Sequence, residues 1–324
     1  MAIDVSMVTT HKIKGQREDL LDMIYSIDPF DTPMLTSIGK GTAKALRHDW
    51  QTDKLRKPAI NARVEGADAE IKPGSFTKVL SNVCQIADET LMISGSTDAV
   101  SKAGRKSELA YQLAKKSKEI KLDMEYGLVG EGQARVDRAE NVAGKLGNFY
   151  SFYKTNGSGY TTAPKGDGTD LGVKATARVL TEKIVQDTAQ KIWEAGGRAN
   201  TIMCNGAMKQ FISNTFVGRA NIAPSVTNVS GHVNINASDK KVQAIVDFYE
   251  SDFGLYKIVP NRWFAADSLF MYDPSMHSLL YLRAFKQYPL SKTGDNEKRQ
   301  MITEYTLRVN NEESGAMVTA LKLA

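Results

Sequence analysis

The sequence predicts an α+β protein in which one helix is much longer than the rest. Three observations carry that reading. Residues 105–129 repeat apolar side chains at helical spacing without a break. Residues 41–98 contain two strand-forming stretches around a polar loop, and most apolar runs after residue 200 are short or alternate with period two.

Taken in order, residues 1–40 read as an extended arm with one short helix. From residue 18 to 27, Leu20, Leu21, Ile24 and Ile27 share a helical face, and Pro29 and Pro33 are expected to stop the helix. Residues 45–55 and 76–94 are the strand-forming stretches, the second rich in Val, Ile, Thr and Leu. Between them, residues 58–74 are polar, with Glu65-Gly66-Ala67-Asp68 as the expected tip. A hairpin that long, with so little apolar content near its tip, cannot bury itself. It should lean on something else.

In the long helix, Leu109, Leu113, Ile120, Met124 and Leu128 fall within an arc of about 100°. Tyr111, Leu122 and Val129 form a smaller patch on a different side, so the helix should be packed on two faces, and Gly130 and Gly132 should end it. Residues 130–178 are glycine-rich and irregular. Thr181 is the expected N-cap of a second helix, with Ile184, Val185, Thr188, Ile192 and Trp193 on one face and Gly196-Gly197 closing it. A buried strand is expected at 201–204 and a short helix at 207–213. The remainder reads mainly as strand: Val242, Ala244, Val246 and Phe248 alternate, and further strands fit 255–259, 268–272, 279–283, 301–309 and 316–321.

Composition narrows the function. The 324 residues are 42% hydrophobic and 24% charged, which excludes a wholly disordered chain. Two cysteines, Cys84 and Cys204, cannot form a disulfide framework or a four-thiolate zinc site. No apolar run approaches the ~18–20 residues that span a bilayer, and the N-terminus lacks the plan of a signal peptide. A soluble protein made in a reducing compartment, away from membranes, is expected. The net charge is +5. Its local excesses are Lys40, Lys44, Arg47, Lys54, Arg56, Lys57 and Arg63, and then Lys102, Arg105, Lys106, Lys115, Lys116, Lys118 and Lys121. Neither cluster is interleaved with stacking aromatics as in single-strand binders. Solvated or partner-facing charge is the better reading, with a basic nucleic-acid-binding protein as the alternative.

Catalytic patterns are mostly missing. No phosphate loop and no G-x-G-x-x-G between strand and helix is present. His11, His48, His232 and His277 are far apart and read as structural. Gly166-Asp167-Gly168-Thr169-Asp170 hints at a calcium loop, but Arg178 stands where the closing glutamate belongs, so a Gly/Asp turn fits better. Ser37-Ile38-Gly39-Lys40, Ser75-Phe76-Thr77-Lys78 and Lys292-Thr293-Gly294 match fragments of the serine acyltransferase signature. Ser37 is followed by glycines rather than opening a buried helix, which leaves an acyltransferase as the weakest alternative. No catalytic, cofactor-binding or metal-binding residue is expected.

Several strings together resemble a tailed-phage major head protein family. They begin with Glu18-Asp19-Leu20-Leu21, Ile27-Asp28-Pro29, Thr32-Pro33-Met34-Leu35 and Ser37 to Gly41. His48-Asp49-Trp50-Gln51-Thr52-Asp53, Asn61 to Ala67, Ser81 to Ile86 and Ser94-Gly95-Ser96 continue the likeness. The long helix adds Gly104 to Lys116 and Glu119 to Glu125, and Gly294-Asp295, Lys298-Arg299-Gln300 and Glu304 to Leu307 resemble the family's closing strand. Residues 130–178 and 217–240 are the least similar.

The resemblance implies the capsid fold named after phage Hong Kong 97. Its parts would be an N-terminal arm (1–40), an extended hairpin loop (41–98), a peripheral domain with the spine helix (99–178), an axial domain (179–290) and return strands of the peripheral domain (291–324). It implies a major capsid protein that self-assembles through pentamers and hexamers into the icosahedral head of a tailed phage. The location would be the virion, after synthesis in the host bacterial cytoplasm. Val64, Glu65, Gly66, Ala67, Asp68 and Ile71 at the hairpin tip are the expected inter-subunit contacts. Leu109, Leu113, Ile120, Met124 and Leu128 are the expected core of the spine helix. Implied partners are other copies of the chain, a portal, a decoration protein and non-specifically contacted double-stranded DNA. The chain begins close to the arm, so a separate scaffolding protein is expected rather than a long fused one.

Overall fold

The computed structural model describes residues 29–69, 74, 76–100, 105–218 and 247–323. The expected helix at 18–27, the alternation at Val242, Ala244 and Val246, and Ile71 lie outside the described residues.

Pro33 opens a helix of its own. Its fixed φ and missing N–H suit a first turn, and α1 spans Pro33–Ser37. Strand β1 (Gly39–Thr42) follows, then β2 (Arg47–Thr52) and β3 (Lys78–Val83), which pair antiparallel from Arg47↔Val83 to Thr52↔Lys78. The second strand-forming stretch does not continue as one hairpin arm. Its later half is a separate strand, β4 (Gln85–Ser94), which zips along a distant partner. The paired hairpin is therefore 47–83, shorter than the expected 41–98, because the long strand Asn296–Val309 competes successfully for residues 85–94.

Short α2 (Gly95–Ala99) precedes the spine helix α3 (Glu108–Val129), which starts at Ser107, whose hydroxyl accepts from the Ala110 N–H. Residues 130–178 are ordered by α4 (Phe149–Phe152) and short strands β5 (Tyr160–Thr162) and β6 (Val173–Lys174). Then come β7 (Arg178–Val179), α5 (Glu182–Glu194), β8 (Thr201–Cys204), α6 (Gly206–Gly218), β9 (Phe248–Ser251), β10 (Gly254–Pro260) and β11 (Leu269–Tyr272). Long strands β12 (His277–Leu290) and β13 (Asn296–Val309), then β14 (Ala316–Val318) and β15 (Leu321–Lys322), close the chain.

Two main sheets organise these elements. One has the order β1-β12-β13-β4, with β1 parallel to β12 and the rest antiparallel. Along β4, Leu91 and Ile93 are buried while Ile86, Asp88, Thr90 and Met92 are exposed, the period-two signature of a strand with one covered face. Helix α3 supplies part of that cover, and Lys116 Nζ reaches Glu89 at 3.1 Å. The other sheet has the order β14-β11-β8-β10-β9. Its central strand β8 is buried along its whole length.

Two apolar cores form, and the first draws on both sheets, since Met203, Phe270, Tyr272 and Met317 of the second sheet contribute to it. Ile120, Met124 and Leu128 of α3 join Met34, Leu35, Phe149, Phe152 and Tyr305 in the first. Val185, Ala189 and Ile192 of α5 join Ile202, Cys204 and Ile258 in the second. Trp193, expected on the buried face of α5, is exposed and packs at a tilt on Phe253, with ring centroids 5.8 Å apart. It sits just past the edge of the apolar stripe, where solvent begins.

Candidate assembly surface

The surface of interest is built on the β2–β3 ladder. Its root is fixed by the Asn82 side chain, which is wholly buried. Asn82 Nδ2 donates to Gly147 O at 3.0 Å and Leu307 O at 2.9 Å, and its Oδ1 accepts from Gly147 N at 2.8 Å. Arg135 Nη1 adds bonds to Ser81 O at 3.0 Å and Ser81 Oγ at 2.7 Å. The strands are thus bolted to the first core at residues 81–83.

Beyond Thr52 and Lys78 the ladder ends. Residues 53–69 run as an extended, exposed loop with one turn at Glu65-Gly66, closed by Ala67 N donating to Val64 O at 3.1 Å. Gly66 has φ +79°, a left-handed conformation that glycine adopts without strain. Val64, Glu65, Gly66, Ala67 and Asp68 are all exposed. Four large apolar side chains on this loop and its return face water almost completely: Leu55 is 93% exposed, Ile60 98%, Val64 81% and Phe76 93%. Isolated surface leucines are ordinary, but four on one unsupported loop mark an interaction surface. Each is worth roughly 1.5–3 kcal/mol if fully covered.

The spine helix is anchored toward its C-terminal end. Ile120, Met124 and Leu128 are buried, Leu113 is half-buried against the same core, and Leu109 is half-buried beside Ile93, Asp98 and Lys292. Sequence reasoning missed Glu125, which has no exposed surface. Its carboxylate accepts from Met34 N at 2.8 Å, Leu35 N at 2.9 Å and Asn261 Nδ2 at 2.6 Å. It caps α1 from across the fold and ties the end of the arm to the spine. Burial pushes its pKa up, opposed by those three hydrogen bonds. No local signal marked it, because Ala114, Lys118 and Lys121 on the same arc of α3 are exposed and the partners of Glu125 are distant in sequence.

No catalytic arrangement stands out among the residues weighed for chemistry. Ser37 Oγ donates to Met34 O at 3.0 Å, and Lys40 is exposed on β1. His277 is buried among Phe149, Phe270 and Tyr272, with Nδ1 bonded to Asp273 O at 2.8 Å and Nε2 to the Tyr153 hydroxyl. Desolvation holds its pKa down at about 4. Cys84 and Cys204 are free and buried, and burial pushes their thiols up to about 11 and about 12. Among the described residues, no group of three or more His, Cys, Asp or Glu side chains could hold a metal ion. None of their helices is long and apolar enough to cross a membrane.

Comparison with known proteins adds the following. The family described as SU10 major capsid protein matches residues 7–322. The major capsid protein of Escherichia phage Phieco32 is 28% identical over 358 residues, spanning 97% of each chain. Among solved structures, the capsid of cyanophage A-1(L) superposes with a TM-score of 0.64 at 12% identity, over 97% of this chain and 98% of that one. The capsid of a native GTA particle gives 0.60 at 10% identity, over 98% and 99%.

Proposed function

The chain belongs to the SU10 major capsid protein family, and we propose from that membership that its exposed hairpin is the clamp between neighbouring subunits. The protein is a major capsid protein of a tailed phage, has the Hong Kong 97-type fold and forms the icosahedral head shell of the virion. The family role is structural, and the reading contains no catalytic step.

The finer organisation is our reading. Residues 1–40 act as the arm and the loop beyond β2 and β3 as the extended loop. The peripheral domain is 99–178 with 291–324, and the axial domain is 179–290. Subunits associate by heterologous contacts that close into rings, which as pentamers and hexamers tile a shell. The observation that carries this is the exposure of Leu55, Ile60, Val64 and Phe76 on a loop whose root is rigidly held. Such a loop stays unpaired in one subunit and becomes stable across a second. Val64, Glu65, Gly66, Ala67, Asp68 and Ile71 are the proposed tip contacts. A separate scaffolding protein, a portal and a decoration protein complete the assembly, and packaged double-stranded DNA is touched without sequence preference.

The test is negative-stain electron microscopy of the purified chain. Polyhedra or capsomer rings are expected. A chain that stays monomeric across salt and concentration contradicts the proposal.

A further inference from the structure

Glu125 does more than cap α1, because its partners come from two parts of the fold. Oε1 accepts from both Met34 N at 2.8 Å and Asn261 Nδ2 at 2.6 Å, and Oε2 accepts from Leu35 N at 2.9 Å. Asn261 is wholly buried and follows β10 of the second sheet. Its N–H donates to Cys204 O at the end of β8 at 2.8 Å, and its Oδ1 accepts from Trp263 N at 2.9 Å. The same loop meets the arm a second time, where Trp263 Nε1 donates to Asp31 O at 3.3 Å. Ser37 Oγ lies 3.2 Å from the Tyr272 hydroxyl on β11. Residues 31–37 are thus a strap held by the spine on one side and the second sheet on the other.

Glu125 has no exposed surface, and among the described residues no ion pair within 4 Å holds it. Its three partners are all donors, so it is kept as a carboxylate whose charge those bonds stabilise. If the strap leaves, one donor of three remains, and water must enter between α3 and the second sheet to solvate the charge. If Asn261 turns away, the strap is left holding a charge that has lost its shortest bond. A buried charge short of donors is costly, so each partner stabilises the seat of the other. We propose that Glu125 is a positioning residue that couples the strap to the second sheet, so that release of residues 31–37 and loosening of the loop 261–263 are one event. The coupling is reciprocal. A pull on the arm ahead of the strap is felt at the second sheet, and a shift of the second sheet is felt in the arm. This holds within a single subunit and does not depend on the hairpin clamp.

Hydrogen exchange of the full chain, resolved to single amides, tests the coupling. Asn261→Ser keeps an oxygen for the Trp263 N–H but is too short to reach Glu125. It removes no hydrogen bond made by the strap itself, yet the Met34 and Leu35 amides should exchange about tenfold faster. Pro33→Gly, which loosens the first turn of α1, should in return speed exchange of the Trp263 amide about fivefold. Glu125→Gln, nearly equal in size, should speed all three, since its amide turns an N–H toward the donors. Ile192→Val, in the second core on α5, is the control. It should lower the urea midpoint and leave the three amides unchanged. Unaltered exchange at Met34 and Leu35 in Asn261→Ser, an unmoved Trp263 amide in Pro33→Gly, or equal acceleration in the control would each overturn the proposal. If Asn261→Ser does not fold, Trp263→Phe takes its place, because it removes the indole bond to Asp31 O. Faster exchange at Leu35 is then expected, and an unchanged rate would overturn the coupling.

Discussion

His277 shows how one buried side chain sets a pH limit on the subunit. Its imidazole is bonded on both nitrogens and ringed by aromatics, so burial keeps it neutral with a pKa of about 4. The carbonyl and carboxylate of Asp273 pull weakly the other way. In the unfolded chain the same group takes up a proton near its ordinary value of about 6.5. Between those values the unfolded state binds more protons, so stability present above about pH 6.5 is lost as pH falls toward 4. The loss from this group is on the order of 3 kcal/mol. Urea midpoints measured from pH 7 to 4 should fall more steeply for the unaltered subunit than for His277→Gln. Equal slopes would contradict the assignment.

At the scale of elements, the spine helix discriminates between positions that the sequence ranks alike. Leu113 and Ile120 lie on one apolar arc, yet Ile120 is buried while Leu113 keeps a partly wetted side chain. Ile120→Asp should cost several kcal/mol and give insoluble or unfolded protein, since it buries an unpaired charge. Leu113→Asp should cost less and leave a foldable subunit, as circular dichroism and urea titration would show. The existence of this helix was legible because its apolar spacing is long and regular. How deeply each position is buried depends on where β4, α1 and α4 land, which local spacing does not encode. The hairpin shows the same division. Its polar tip and strand-forming flanks were readable, but the departure of Gln85–Ser94 to β13 is a non-local competition. Residues 130–178 were opaque because α4 is four residues of Phe, Tyr and Ser held by tertiary burial rather than by propensity. Of the assembly surface, the tip and its polarity could be read, whereas the Asn82 anchor and the Glu125 cap could not, since their partners are distant in sequence.

For the whole molecule, two cores hold a rigid body from which a loop projects unsupported, and assembly is the state that covers it. Charge plays a smaller part. The excess of +5 is spread over separated patches, so soluble subunits should bind DNA weakly, without sequence preference, and with an affinity that falls with salt. Tight sequence-selective binding at physiological salt would point to a different function. The central claim is that the hairpin serves the shell and not the fold of its own subunit. Its most direct test replaces residues 64–71 with a short Gly-Ser turn and compares folding by circular dichroism with shells by electron microscopy. The expected result is a folded, soluble subunit that forms no stable shell. A subunit that unfolds, or one that still gives robust shells, would contradict it.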